Sequence, residues 1–134
     1  MVKCPIITEG MLASIQDGLS SPDVGTRYAA VDALSVFGKR DKKIMPLLEK
    51  TLADADVGLR ARAVILLGGM REDGVFQLLE KALSDKEISI RMAACSSLGD
   101  LGNKMALPLL EGALNDPDKN VRGFASCAIE KLKR

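Results

Sequence analysis

Residues 83–102 read LSDKEISIRMAACSSLGDLG. Two acids, Asp85 and Glu87, precede a run in which Ile90, Ala94, Leu98 and Leu101 recur at steps of four, four and three, and Gly102 follows. That spacing puts one apolar stripe on a 3.6-residue helix. The acids sit where a carboxylate can cap free backbone N–H groups, and the glycine where a helix ends.

The same register runs through the chain. With Leu19, Leu52, Leu83 and Leu114 as phase markers, the spacings are 33, 31 and 31 residues. Two residues after each marker stands Ser21, Asp54, Asp85 or Asp116, and four after stands Asp23, Asp56, Glu87 or Asp118. Eight after is always arginine (Arg27, Arg60, Arg91, Arg122), and eleven after always alanine (Ala30, Ala63, Ala94, Ala125). Fixed-period self-similarity of this kind marks a repeat architecture. Each unit reads as two helices. The second carries apolar residues eight, seven and four positions before the next marker: Ile44, Met45 and Leu48; Val75, Phe76 and Leu79; Ala106, Leu107 and Leu110. Pro46 and Pro108 fall near its first turn, where a missing N–H costs little. Residues 9–19 read as a second helix with no first helix before it, residues 20–52, 53–83 and 84–114 as repeats, and 115–134 as a first helix alone. Eight helices in one stack, a single domain over 1–134, are expected.

The acidic turn, the Val-Arg or Ile-Arg that follows it, the fixed Ala and Leu steps and the Pro-x-Leu of the second helix resemble the HEAT repeat. Ile90-Arg91-Met92-Ala93-Ala94 and Val121-Arg122-Gly123-Phe124-Ala125 carry the resemblance best, and it covers about residues 11–134. The unit length of about 31 is similar to the short HEAT-like subclass of phycobilisome lyase subunits. Thr26, Ser21 and Arg71 depart from the pattern where valine, aspartate and a helix-ending glycine are usual. The resemblance implies a right-handed α-solenoid of about four stacked two-helix units, with first helices convex and second helices lining a concave surface. It also implies a structural ladder of the turn aspartates Asp54, Asp85 and Asp116 with Arg60, Arg91 and Arg122.

Composition narrows the function. The 134 residues include 19 basic and 18 acidic side chains, net charge +1, with no histidine, no tryptophan and four aromatics: Tyr28, Phe37, Phe76 and Phe124. Phosphate neutralisation normally needs a basic excess, so no nucleic-acid partner is expected. DNA glycosylases on HEAT-like scaffolds use a basic, aromatic-lined face that this composition does not provide. Without histidine, Ser–His and Cys–His nucleophiles are unavailable, and so are the His-Glu motifs of HEAT-like di-iron hydroxylases. Gly38-Lys39-Arg40 lacks the rest of a phosphate loop, and the Asp-x-Asp turns lack a calcium loop's glycine and distal glutamate. No catalytic residue, metal or cofactor is therefore expected. Three cysteines without C-x-x-C spacing read as free thiols in a reducing cytosol. Cys95 and Cys127 would be small, half-buried packing residues, and Cys4 lies in the tail. No run reaches the roughly 18 apolar residues of a membrane span, so a cytoplasmic protein is expected.

Two features bear on partners. Leu47, Leu78 and Leu109 recur five positions before a marker, about 130° from the centre of the second helix's core face. Either they thicken the core of a helix flanked on three sides, or they form an exposed apolar stripe for a protein partner, bordered by Lys50, Lys81 and Gln77 and by a row of Glu49, Glu80 and Glu111. The last helix keeps Phe124, Ala125, Ala128, Ile129 and Leu132 with no second helix after it, which raises end-to-end self-association. The reading reached is a non-enzymatic interaction scaffold. The subclass resemblance implies the alternative, a subunit related to phycobilin lyases that handle bilin chromophores.

Overall fold

The computed structural model describes residues 7–37, 42–70 and 72–134. Cys4, Gly38 and Arg71 lie outside them. Within the described residues all regular structure is helical: α1 (Glu9–Leu19), α2 (Val24–Val36), α3 (Met45–Thr51), α4 (Val57–Gly68), α5 (Val75–Ala82), α6 (Ile88–Leu101), α7 (Leu107–Ala113) and α8 (Lys119–Lys133). Short 3-10 turns, Lys42–Ile44 and Lys104–Ala106, lead into α3 and α7. Ile44 and Ala106 thus precede the second helices rather than opening them.

The acidic turns start the first helices as their chemistry dictates. Asp23, Asp56 and Asp118 each accept backbone N–H bonds from the opening turn: from Thr26 at 2.9 Å, from Leu59 at 3.0 Å, and from Asn120 at 2.7 Å. Glu87, one methylene longer, occupies the same position before α6 without a side-chain cap bond. Gly102 ends α6 at φ 70°, the left-handed region that favours glycine. Pro46 and Pro108 sit in the first turns of α3 and α7.

First helices stack on first helices, α4 on α6 and α6 on α8, with second helices packed alongside. The core is continuous through the stack: Leu34, Leu48, Leu67, Leu79, Leu98 and Leu110 are all essentially inaccessible. The face of α8 expected to be uncovered is largely covered. Ala125, Ala128 and Leu132 are buried, Ile129 is half-buried and only Phe124 is exposed, because α6 and α7 pack on α8 from both sides. Cys95 is fully buried and Cys127 exposed, so neither is the half-buried residue expected.

Candidate functional site

The second helices α3, α5 and α7 are short, and their registers coincide. Leu48, Leu79 and Leu110 point into the core, as the period requires. Leu47 and Leu78 are also core, 3% and 6% exposed, and Leu109 is half-buried. The apolar stripe is therefore not on the surface. Leu78 shows the reason: it lies at the seam between α3 and α5, in a narrow groove of about 230 Å³ shared with Leu52, Ala53 and Ala82. A residue 130° off the helix's own core stripe is here covered by the turn that follows α3.

What the second helices present instead is a set of exposed positions in register, with one glutamate column common to all three. Pro46, Glu49 and Lys50 on α3, Gln77, Glu80 and Lys81 on α5, and Pro108, Glu111 and Gly112 on α7 are all exposed. Lys81 reaches back one unit to Glu49 at 3.4 Å, and Lys50 donates to the Ser20 hydroxyl at 2.6 Å. Exposed pairs like these add little stability. Of the residues expected to border a partner, Lys50, Lys81 and Gln77 are accessible, while Leu47 and Leu78 are not.

The arginine ladder between units is present with the three expected aspartates and with Arg60 and Arg91, but its third arginine is Arg27 rather than Arg122. Arg27, Arg60 and Arg91 each donate from Nε to the turn aspartate of the following unit: Asp54 at 3.0 Å, Asp85 at 3.0 Å and Asp116 at 2.9 Å. The other arm of each guanidinium holds the carbonyl six residues back, as Arg60 does with Asp54 at 2.8 Å. Since each arginine reaches forward, Arg27 joins the ladder although Ser21 is no acid. Among the described residues Arg122 donates to the Asp116 and Pro117 carbonyls and to no carboxylate. Burial opposes ionisation of Asp116, yet the Arg91 bond, the Asp118 N–H and the positive charge of Arg91 and Arg122 hold its pKa below the usual carboxylate value. These side chains are saturated by one another, which fits a structural part.

One inter-unit contact has no counterpart in the repeat pattern. The Tyr28 hydroxyl on α2 donates to Asp56 at 2.6 Å, and the Arg62 guanidinium lies 5.0 Å above the Tyr28 ring while pairing with Asp32. The bond from Tyr28 lowers the Asp56 pKa and raises that of the phenol. A Cβ on Gly58 would lie 1.8 Å from the Tyr28 oxygen, so this approach requires glycine. Tyr28 is the chain's single tyrosine, the one signal that could have drawn attention to it.

A family model for HEAT repeats matches residues 44–129, more than half of the chain. The chain belongs to the HEAT-repeat family. Among solved structures it is similar to human deoxyhypusine hydroxylase in complex with glycerol, with a TM-score of 0.79 and 21% identity over 97% of this chain and 46% of that one. It is also similar to the Escherichia coli protein YibA, with a TM-score of 0.55 and 22% identity over 93% of this chain and 55% of that one. At such identities the likeness is one of fold, and the chain spans about half the length of these structures. No curated protein matches the sequence. Among the described residues no helix is long and apolar enough to cross a membrane.

Proposed function

We propose that this chain is a non-enzymatic protein-interaction scaffold that holds its partner along the second-helix face. HEAT-repeat domains are commonly such scaffolds, and one observation about this chain carries the reading. Three second helices present the same outward positions in register and exposed, with one glutamate row, Glu49, Glu80 and Glu111, common to all three, above leucines buried in the core. A repeated row of this kind suits a partner that runs across successive units. The unit spacing of 31 residues supports the short HEAT-like subclass. The absence of histidine and the mutual saturation of the ladder charges support a non-catalytic part.

Amine-reactive cross-linking of a captured partner tests this. Lys50 and Lys81 should link to the partner, and Lys119 and Lys133 should not. The variant Lys50→Glu with Lys81→Glu should lose the partner while keeping its melting temperature, because both lysines are exposed. Cross-links confined to α8, or undiminished capture by the variant, would refute the second-helix face.

A further inference from the structure

The three junctions between successive first helices are not equivalent. At the second and third, a glycine meets a small residue of the next unit. A Cβ on Gly68 would lie 2.8 Å from the Ser97 Cβ, and one on Gly99 would lie 3.0 Å from the Ala128 Cβ. The glycines stand 16 positions after a marker leucine, and their contacts 14 positions after the next. At the first junction those two positions hold Ser35 and Leu66. Four branched carbons replace a hydroxymethyl or methyl, and α2 cannot close on α4.

The consequence is visible in three ways. First, an open groove separates α2 from α4, with lobes of about 370 and 240 Å³ that Ser35, Ile65 and Leu66 line in common. Ile65, on its wall, is 65% exposed. Second, α2 touches α4 over far less of its length than α4 touches α6 or α6 touches α8, and no other helix pair joins the α1–α2 unit to the stack as extensively. Third, the ladder rung is weaker. Arg60 and Arg91 each grip their aspartate with both Nε and a terminal nitrogen, whereas Arg27 uses Nε alone. Bidentate guanidinium–carboxylate pairs fix orientation, and single bonds do not.

We propose that the first junction is a hinge, about which α1 and α2, packed on each other, turn as a body against the rigid stack of α4, α6 and α8. At the later junctions the glycines meet Cβ and Cα atoms of the facing helix, which leaves one arrangement because close-packed interfaces do not deform continuously. The tight glycine contact of the first junction, Gly58, instead meets the far end of the Tyr28 side chain. At the first junction the groove supplies the free space. The contacts spanning it there, Arg27–Asp54, Tyr28–Asp56, Arg62–Asp32 and Lys50–Ser20, are side-chain bonds that can re-aim without breaking a packed seam. Turning would change the angle between successive units at one end of the scaffold only.

Nitroxide distance measurements on the full chain test this with two label pairs, each spanning two junctions. Ala29→Cys with Ser96→Cys crosses the first and second. Ile65→Cys with native Cys127 crosses the second and third. Cys4 is changed to serine throughout, and Cys127 as well in the first pair. Cys95 takes no label, because it is buried and its thiol is pushed up to about 11. The first pair should give a distance distribution roughly twofold broader than the second, with the amides of α2 still protected from exchange. Adding Ser35→Gly and Leu66→Ala, which copies the closed junctions, should narrow it. Equal widths for the two pairs would overturn the hinge. So would unprotected α2 amides, since the breadth would then come from fraying. A width unchanged by the Ser35→Gly, Leu66→Ala variant would overturn the wedge as its cause.

Discussion

Arg60 on α4 holds two successive units at once. Its Nη1 donates to the Asp54 carbonyl at the start of its own unit, and its Nε and Nη2 donate to Asp85 of the next at 3.0 and 3.2 Å. Asp85 in turn accepts the Glu87 N–H at 2.9 Å, which fixes the turn that starts α6. One side chain thus couples the end of one inter-helix turn to the geometry of the following one. Repeated along the stack, the arrangement sets where each first helix begins relative to the last.

Because Arg60 is buried and its guanidinium is shared between units, Arg60→Met should cost roughly 3 kcal/mol, most of it from the stranded Asp85 carboxylate. Arg122→Met should cost no more than about 0.5 kcal/mol, since its position is exposed and it reaches Asp116 through its charge and a carbonyl bond, not through a pair with the carboxylate. Urea unfolding of the two variants checks the contrast. Equal losses would mean that the carbonyl contacts, which both arginines make, carry the stability.

The direction of the ladder shows where sequence reading stopped. The columns state that arginine and aspartate recur, and helix count, helix starts and core follow from the same columns because a 3.6-residue period repeated four times leaves little freedom. Which unit's aspartate an arginine meets depends on its reach in space, so Arg27 was left out and Arg122 included. Leu47 and Leu78 failed for a similar reason. A helical wheel describes one helix against one core stripe, whereas both side chains are buried outside that stripe, Leu78 beside Leu52 and Ala53 of the preceding turn. The looser first junction is written in Ser35 and Leu66, but only once the structure shows which two columns touch.

Gly68 and Gly123 should respond oppositely to the same change. Both are helical, and alanine favours helix over glycine by about 1 kcal/mol. Nothing lies within 4 Å of a Cβ on Gly123, so Gly123→Ala should stabilise by about 0.5–1 kcal/mol. On Gly68 the new atom meets Ser97 at 2.8 Å, and also crowds its backbone Cα at 3.1 Å. Gly68→Ala should therefore destabilise by about 1–3 kcal/mol. Thermal melts decide it, and a stabilised Gly68→Ala would show that the α4–α6 seam has slack.

Leu47 and Leu109 share a column but not an environment. Leu47→Ala should cost roughly 2–4 kcal/mol, as deletion of a buried leucine side chain does, and Leu109→Ala clearly less. Helicity followed through denaturant unfolding measures both. Indistinguishable, near-zero costs would return the column to the surface and restore the apolar stripe.

Stability should form a plateau with an edge at each end of the pH range. Asp23, Asp56 and Asp116 have pKa values lowered in the fold. For Asp23 the Thr26 hydroxyl is the main cause and for Asp56 the Tyr28 hydroxyl. For Asp116 burial is the largest influence and opposes ionisation, but the Arg91 bond, the Asp118 N–H and the charges of Arg91 and Arg122 together outweigh it. A lowered pKa means the unfolded chain binds protons first. The stabilisation is whole above the unfolded value of 3.8 and is lost as pH falls through the folded values. Tyr28 runs the other way: its pKa is raised above 10.0, chiefly by donation to Asp56, so the unfolded phenol ionises first. Its contribution is whole below pH 10.0 and disappears as pH rises through the folded value. Tyr28→Phe removes both the alkaline term and the bond that lowers Asp56. Its melting temperature should fall below wild type at neutral pH, and the gap should narrow at both extremes. Parallel melting curves for the two proteins from pH 3 to 11 would show that the Tyr28–Asp56 bond contributes nothing that titrates.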